Sequence, residues 1–266
     1  MPIPATPAVQ WTRSHTLAAF HLYTLLPFGQ LHRGRPEIQQ LAAWQGRTPS
    51  SVAMKLVNFA SLDPQVLASG RAGLSGASRQ DQRLWAELQS HWDALAEEAA
   101  AAYASLALQH GVAADSALIE EDAPEEATFE AGRTRSALVQ VRVNQARFRQ
   151  SVLASYNDTC CISGLRHQQL VIASHIIPWR EDTRNRLNPH NGLCLSALHD
   201  RAYDQGLITV MPDFTVRVSA SLARIGGNAF LAESLQRCDR QPIQLPQRFR
   251  PSPEFLTWHA RRFGFL

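Results

Sequence analysis

Lysine is almost missing from this chain: Lys55 stands alone against twenty-five arginines. Arginine is the better bidentate partner for phosphate, but a GC-rich genome produces the same bias, so where the charge sits matters more than which cation carries it. Cysteine is scarce too, at four residues, Cys160, Cys161, Cys194 and Cys238. None forms a Cys-x-x-Cys pair, which argues against a structural zinc site of four cysteines, and the adjacent Cys160 and Cys161 cannot both face one partner. Buried free thiols in a reducing cytoplasm are the expectation. Long apolar runs are absent. None approaches the ~20 residues needed to span a bilayer, so no membrane partner is expected. The opening Met-Pro-Ile-Pro-Ala-Thr-Pro has no basic region ahead of an apolar stretch, so no secretory signal is expected.

What is present suits two modest domains: 266 residues, 45% of them hydrophobic. The net charge of +3 conceals an uneven distribution. Residues 1–110 hold eight basic and seven acidic side chains, residues 111–131 seven acidic and none basic, and residues 132–266 eighteen basic and nine acidic. The balance predicts a near-neutral domain over 1–110, an acidic linker over 111–132 and a basic domain over 133–266, the last suited to phosphate binding.

The first domain reads as all-helical. Thr12 or Ser14 caps a helix carrying Leu17, Phe20, Leu22 and Leu25, ended at Pro27-Phe28-Gly29. Pro36 opens a second, with Gly46 after it, and Thr48-Pro49 a third. The second and third, joined by a short turn containing Gly46, have the pattern of a helix-turn-helix, with Arg47 and Lys55 as candidate DNA contacts. Leu84, Leu88, Trp92, Leu95, Ala99 and Ala102 recur at helical spacing and predict one long helix over 81–109. Such a helix packs on the bundle or joins two protomers into a homodimer.

In the basic domain, Arg133 to Tyr156 reads as a helix bearing Arg142, Arg147 and Arg149. The run Leu170 to Ile177, ended by Pro178-Trp179, reads as a buried strand. A polar loop with Arg180, Arg184 and Arg186 follows, then an Asn191-Gly192 turn, a short strand over Leu193-Cys194-Leu195, and a helix from Ala197 to Gln205 stopped by Gly206. Phe214, Val216 and Val218 alternate with polar residues and predict a strand hairpinned with Leu207 to Val210. A last helix runs from Pro253 through Arg262; its His259 is expected to be an ordinary surface or core histidine.

This frame delivers His175 at a strand end, Asn191 sixteen residues on, and His199-Asp200 in the first turn of a helix. With ASHIIPW, RLNPHNGLCL and LHDRAYDQGLIT in order, the stretch from about Arg142 to Val210 resembles the HNH endonucleases, His-Asn-His nucleases with a ββα-metal fold. The subgroup it is most similar to includes restriction and phage-defence nucleases, and LAAWQGRTPSSVAMKLVNFASLDP resembles the short helical domain often found ahead of such modules. The resemblance implies an α+β chain: an N-terminal all-helical domain and a C-terminal ββα-metal nuclease domain.

It further implies a metal-dependent cut of double-stranded DNA. His175 would be the general base, with its other ring nitrogen held by a backbone carbonyl, and Asn191 would fix the loop that orients it. An imidazole suits that role because its ordinary pKa lies near neutrality. The arginines at 142, 147, 149, 180, 184 and 186 would lie on the phosphate backbone. Where many family members carry Asp or His before the base, this chain has Ser174, a poor ligand. The helix ligand is either His199 or Asp200, neighbours about 100° apart on a helix that cannot easily share one ion. Asp200 shares a face with Asp204. Mg²⁺ is the expected ion, with Mn²⁺, Ni²⁺ and Zn²⁺ as candidates that tolerate imidazole. Two other readings stay open: a DNA-binding protein with an inactive HNH module, and an RNA nuclease.

Overall fold

The computed structural model describes residues 10–68, 76–112 and 135–266, with side chains of the last stretch from residue 140 onward. The class is α+β. The chain divides into two compact units, Met1–Ala117 and Leu118–Leu266. The acidic stretch expected as a linker lies almost wholly outside the described residues.

The first unit is helical: α1 (Arg13–Leu25), α2 (Pro36–Trp44), α3 (Pro49–Ala60), α4 (Pro64–Ala68), α5 (Arg79–Ser90) and α6 (Trp92–Gln109). Thr12 and Thr48 cap α1 and α3 by accepting from His15 N and Ser51 N. Thr16 to Tyr23 are buried without a break, so α1 is enclosed on all sides, as its nearly continuous apolar sequence requires. Phe20 meets Phe59 edge to face, with ring centroids 5.4 Å apart. Trp92 and Tyr23 extend this aromatic centre. The long helix expected over 81–109 is instead two. His91 leaves helical geometry at φ −142°, ψ 59°, and α5 opens with a capping box between Ser78 and Asp81.

The second unit comprises α7 (Arg135–Tyr156), β1 (Val171–His175), β2 (Gly192–Ser196), α8 (Ala197–Asp204), β3 (Ile208–Val210), β4 (Val216–Val218), α9 (Ala220–Ala223), α10 (Ala229–Ser234) and α11 (Pro253–Arg262). β1 and β2 are antiparallel, with Val171 opposite Ser196 and His175 opposite Gly192. β3 and β4 form a second antiparallel pair, the hairpin read from the alternating sequence. The helices α7 and α8 both pack on the β1–β2 pair. Gly206 ends α8 at φ +64°, and a Cβ there would lie 2.1 Å from the Phe263 ring, so both backbone conformation and packing require glycine.

Candidate active site

His175 ends β1 and is half-buried. Its Nε2 is 3.0 Å from the carbonyl oxygen of Arg186. A carbonyl only accepts, so Nε2 carries the proton and Nδ1 presents its lone pair. No described residue bonds Nδ1. Phe148 of α7 stacks on one face of the imidazole, and Trp179 meets the ring edge-on with centroids 5.6 Å apart. Burial pushes the imidazole down to about 4, against the opposing pull of the Arg186 carbonyl, so the ring is neutral at pH 7.

Asn191 is fully enclosed, at 0% exposure. Its Oδ1 accepts from Ile177 N at 2.8 Å, and its Nδ2 donates to Ile177 O at 3.0 Å and Asn185 O at 3.2 Å. The side chain thus closes the intervening loop at both ends. Asp182, Asn185, Asn188 and Asn191, spaced three apart, stitch the loop from within. Asp182 accepts from Asn185 Nδ2 at 2.7 Å, and Asn185 accepts from Asn188 Nδ2 at 2.9 Å. From outside, Arg262 of α11 holds Glu181 through two contacts of 2.7 and 2.9 Å. The loop that supplies the Arg186 carbonyl is therefore fixed by side chains rather than by regular structure.

The residues considered for a metal are not gathered in one place. Ser174 precedes His175 on β1, so the two side chains leave opposite faces of the strand. Ser174 is 3% exposed and its hydroxyl has no hydrogen-bond partner among the described residues. His199 is 4% exposed with both ring nitrogens engaged, Nδ1 with Ser196 Oγ at 2.7 Å and Nε2 with Ser234 O at 2.9 Å. To ligate through Nε2 it would first have to release Ser234. His199 lines a groove of about 840 Å³ with Ile162, Leu165, Phe230 and Cys238, a concavity that His175 does not line. Asp200 is half-buried and Asp204 exposed. Among the described residues no group of three or more His, Cys, Asp and Glu side chains is placed to hold an ion. The donors present do not fit a preformed metal centre.

All four cysteines are free thiols. Cys160 lies 3.7 Å from His199 Nδ1 and accepts from Ser163 N at 3.4 Å. Burial would raise its pKa, but these hydrogen bonds outweigh it and bring the thiol down to about 6. His259 is a core residue, stacked on Tyr203 with centroids 3.7 Å apart and bonded through Nδ1 to Thr209 Oγ1 at 2.8 Å.

The arginines fall into two groups. Arg142, Arg180 and Arg184 are exposed. Arg149 instead donates to Val171 O and Gln168 O at 3.0 and 3.1 Å, tying α7 to the start of β1. Arg186 donates to Trp179 O at 2.9 Å and lies over the Trp179 ring. Arg147 is half-buried and reaches Asn144. In the first unit, Lys55 is 4% exposed and paired with Asp81 at 2.8 Å. Arg47 is half-buried, with its guanidinium 3.9 Å from the Trp11 ring centroid. Lys55 therefore belongs to the interior of the bundle, out of reach of a phosphate.

Residues 160–211 match the family model HNH_2, described as an HNH endonuclease. No curated protein matches the chain. Among the described residues no helix is long and apolar enough to cross a membrane. Phe148 and Trp179 frame His175, and sequence reasoning does not single out either as part of the site. The available signal was Gly192, the residue opposite His175, whose missing side chain makes room for something large.

Proposed function

We propose that the second unit hydrolyses phosphodiester bonds of double-stranded DNA, with His175 as general base. In the proposed step a water oxygen attacks phosphorus and passes its proton to His175 Nδ1. The bond from phosphorus to the 3′ oxygen breaks with its electron pair on that oxygen, which takes a proton from solvent water, leaving a 5′-phosphate and a 3′-hydroxyl. The observation that carries this reading is the pairing of a carbonyl-held Nε2 with an unengaged Nδ1, at the end of a strand whose following loop is clamped by Asn191. The clamp makes Asn191 the orienting residue of the proposal. Arg142, Arg180 and Arg184 are the proposed phosphate contacts, because they are exposed and their unit carries the excess positive charge. Arg149 and Arg186 would act through the loop and strand they hold.

HNH nucleases generally use divalent metal ions, and Mg²⁺ is the first ion to supply. Asp200 is the better candidate for a protein ligand, being a carboxylate that is partly open to solvent, whereas His199 is 4% exposed. A role in restriction or phage defence is part of the proposal and rests on the family resemblance.

One observation favours a second reading, a DNA-binding protein with a silent nuclease module: no metal-holding group is assembled among the described residues. Incubation of supercoiled plasmid, linear duplex and single-stranded RNA with purified protein separates the readings. Mg²⁺, Mn²⁺, Ni²⁺ or Zn²⁺ would be added in turn, with a chelator control. Nicking or linearisation of plasmid that the chelator abolishes supports the nuclease. Binding without cutting under every ion supports the silent module, and cleavage of RNA alone overturns the choice of DNA.

A further inference from the structure

The hydrogen bond from His175 to the Arg186 carbonyl fixes one point of the imidazole and leaves the ring free to swing about the Nε2···O axis. A base that must present Nδ1 to a water in one direction needs a second constraint, out of the ring plane. The ring of Phe148 lies against the imidazole with centroids 3.6 Å apart and planes 14° from parallel. That separation is van der Waals contact across the whole ring face, so swinging would drive the imidazole into Phe148. Stacking on a face also leaves the in-plane lone pair of Nδ1 uncovered, which a bulky group at the ring edge would not.

Phe148 is itself immobilised. It is 2% exposed, on the interior side of α7. Across from it is Gly192, the β2 partner of His175. A Cβ built on Gly192 would lie 3.0 Å from Phe148 Cζ and 2.4 Å from Val152 Cγ2. Glycine is therefore the residue that lets α7 approach the strand pair closely enough for Phe148 to reach the imidazole. Trp179, perpendicular to the same imidazole with centroids 5.6 Å apart, is a second aromatic neighbour.

We propose that Phe148 is a positioning residue for His175, and that α7, which precedes the family-matched segment, is thereby a working part of the site. The inference rests on His175 being the base. The pair also explains part of the burial that keeps His175 neutral.

The test uses the full-length chain labelled with ¹⁵N-histidine, and follows His175 by its ring nitrogen shifts at neutral pH alongside cleavage kinetics. Wild type shows one tautomer, with Nε2 protonated. Phe148→Leu, which keeps an apolar side chain but removes the ring face, gives exchange-averaged nitrogens. It also lowers kcat on the order of ten- to a hundredfold with little change in KM for DNA. Gly192→Ala, whose methyl would meet Val152 Cγ2 at 2.4 Å and Phe148 Cζ at 3.0 Å and so force α7 back from the strand pair, reproduces the spectral change. Val152→Ala removes buried volume from the same helix and leaves the single tautomer. A single tautomer and unchanged kcat in Phe148→Leu overturn the proposal. Equal averaging in Val152→Ala also overturns it, because the effect would then be general loosening of α7. The nitrogen spectra report on His175 even if wild type cuts nothing, so failure of the nuclease reading and failure of the positioning role are told apart.

Discussion

Lys55 of α3 and Asp81 of α5 form an ion pair of 2.8 Å inside the helical unit, with the two side chains 5% and 0% exposed. The second carboxylate oxygen of Asp81 accepts from Ser78 N at 2.9 Å, so one carboxylate serves both the pair and the cap of α5. Breaking a buried pair by removing one partner costs about 3–5 kcal/mol, because the other charge stays buried alone. Lys55→Ala and Asp81→Ala are each expected to lower the unfolding free energy of the first unit by that amount, read as a fall in its denaturant midpoint at unchanged m. DNA affinity measured well below the melting temperature should be unchanged. An affinity loss in Lys55→Ala without loss of stability would return Lys55 to the DNA surface.

The clamp at Asn191 gives a second expectation. Asn191→Ala leaves Ile177 N and two carbonyls in the interior without their partners, and each such group costs about 1–3 kcal/mol. Asn191→Asp is expected to do worse than its size suggests, since a carboxylate oxygen replaces the amide that faced the Ile177 and Asn185 carbonyls. Thermal melts compare the two. Indifference to the Asp substitution would mean that the side chain does not bridge the loop.

Two histidines set an acid limit on stability. Burial pushes both His175 and His259 down to about 4, below the ordinary value of ~6.5 that the unfolded chain restores. The unfolded state therefore binds more protons between these values. Stability from this source is complete above pH ~6.5 and is lost as pH falls toward 4, at up to about 1.4 kcal/mol per pH unit for each proton. Urea titrations of wild type and His259→Gln between pH 7 and 4 check this. The variant has one histidine fewer in this window and should show a shallower decline; equal slopes would contradict the buried neutral state of His259.

The sequence made α1, α2, α3, α7, α8 and α11, the β1–β2 pair and the β3–β4 hairpin legible, because apolar spacing and turn residues are local signals, while the short α4, α9 and α10 carried none strong enough to read. Through its resemblance to HNH endonucleases it also brought His175 and Asn191 forward. What it concealed depends on partners far along the chain. His91 breaks the expected helix over 81–109 although nothing in its neighbourhood excludes helix. The burial of Lys55 is set by Asp81, twenty-six residues away. His199 is committed by Ser234, thirty-five residues on, in a short helix with no strong periodic pattern. The separation of Ser174 from His175 follows from strand alternation, and so was available in principle. The Phe148 stack was not, because nothing local distinguishes that ring from any other apolar position on α7.

The most direct measurement is the split between binding and cutting in His175→Ala. Wild type and variant would be assayed side by side on supercoiled plasmid with Mg²⁺ or Mn²⁺, and for duplex binding at one fixed salt concentration. The account predicts wild-type cleavage and a loss on the order of 10²- to 10⁴-fold in the variant, with binding retained. Cleavage by His175→Ala at the wild-type rate would contradict it.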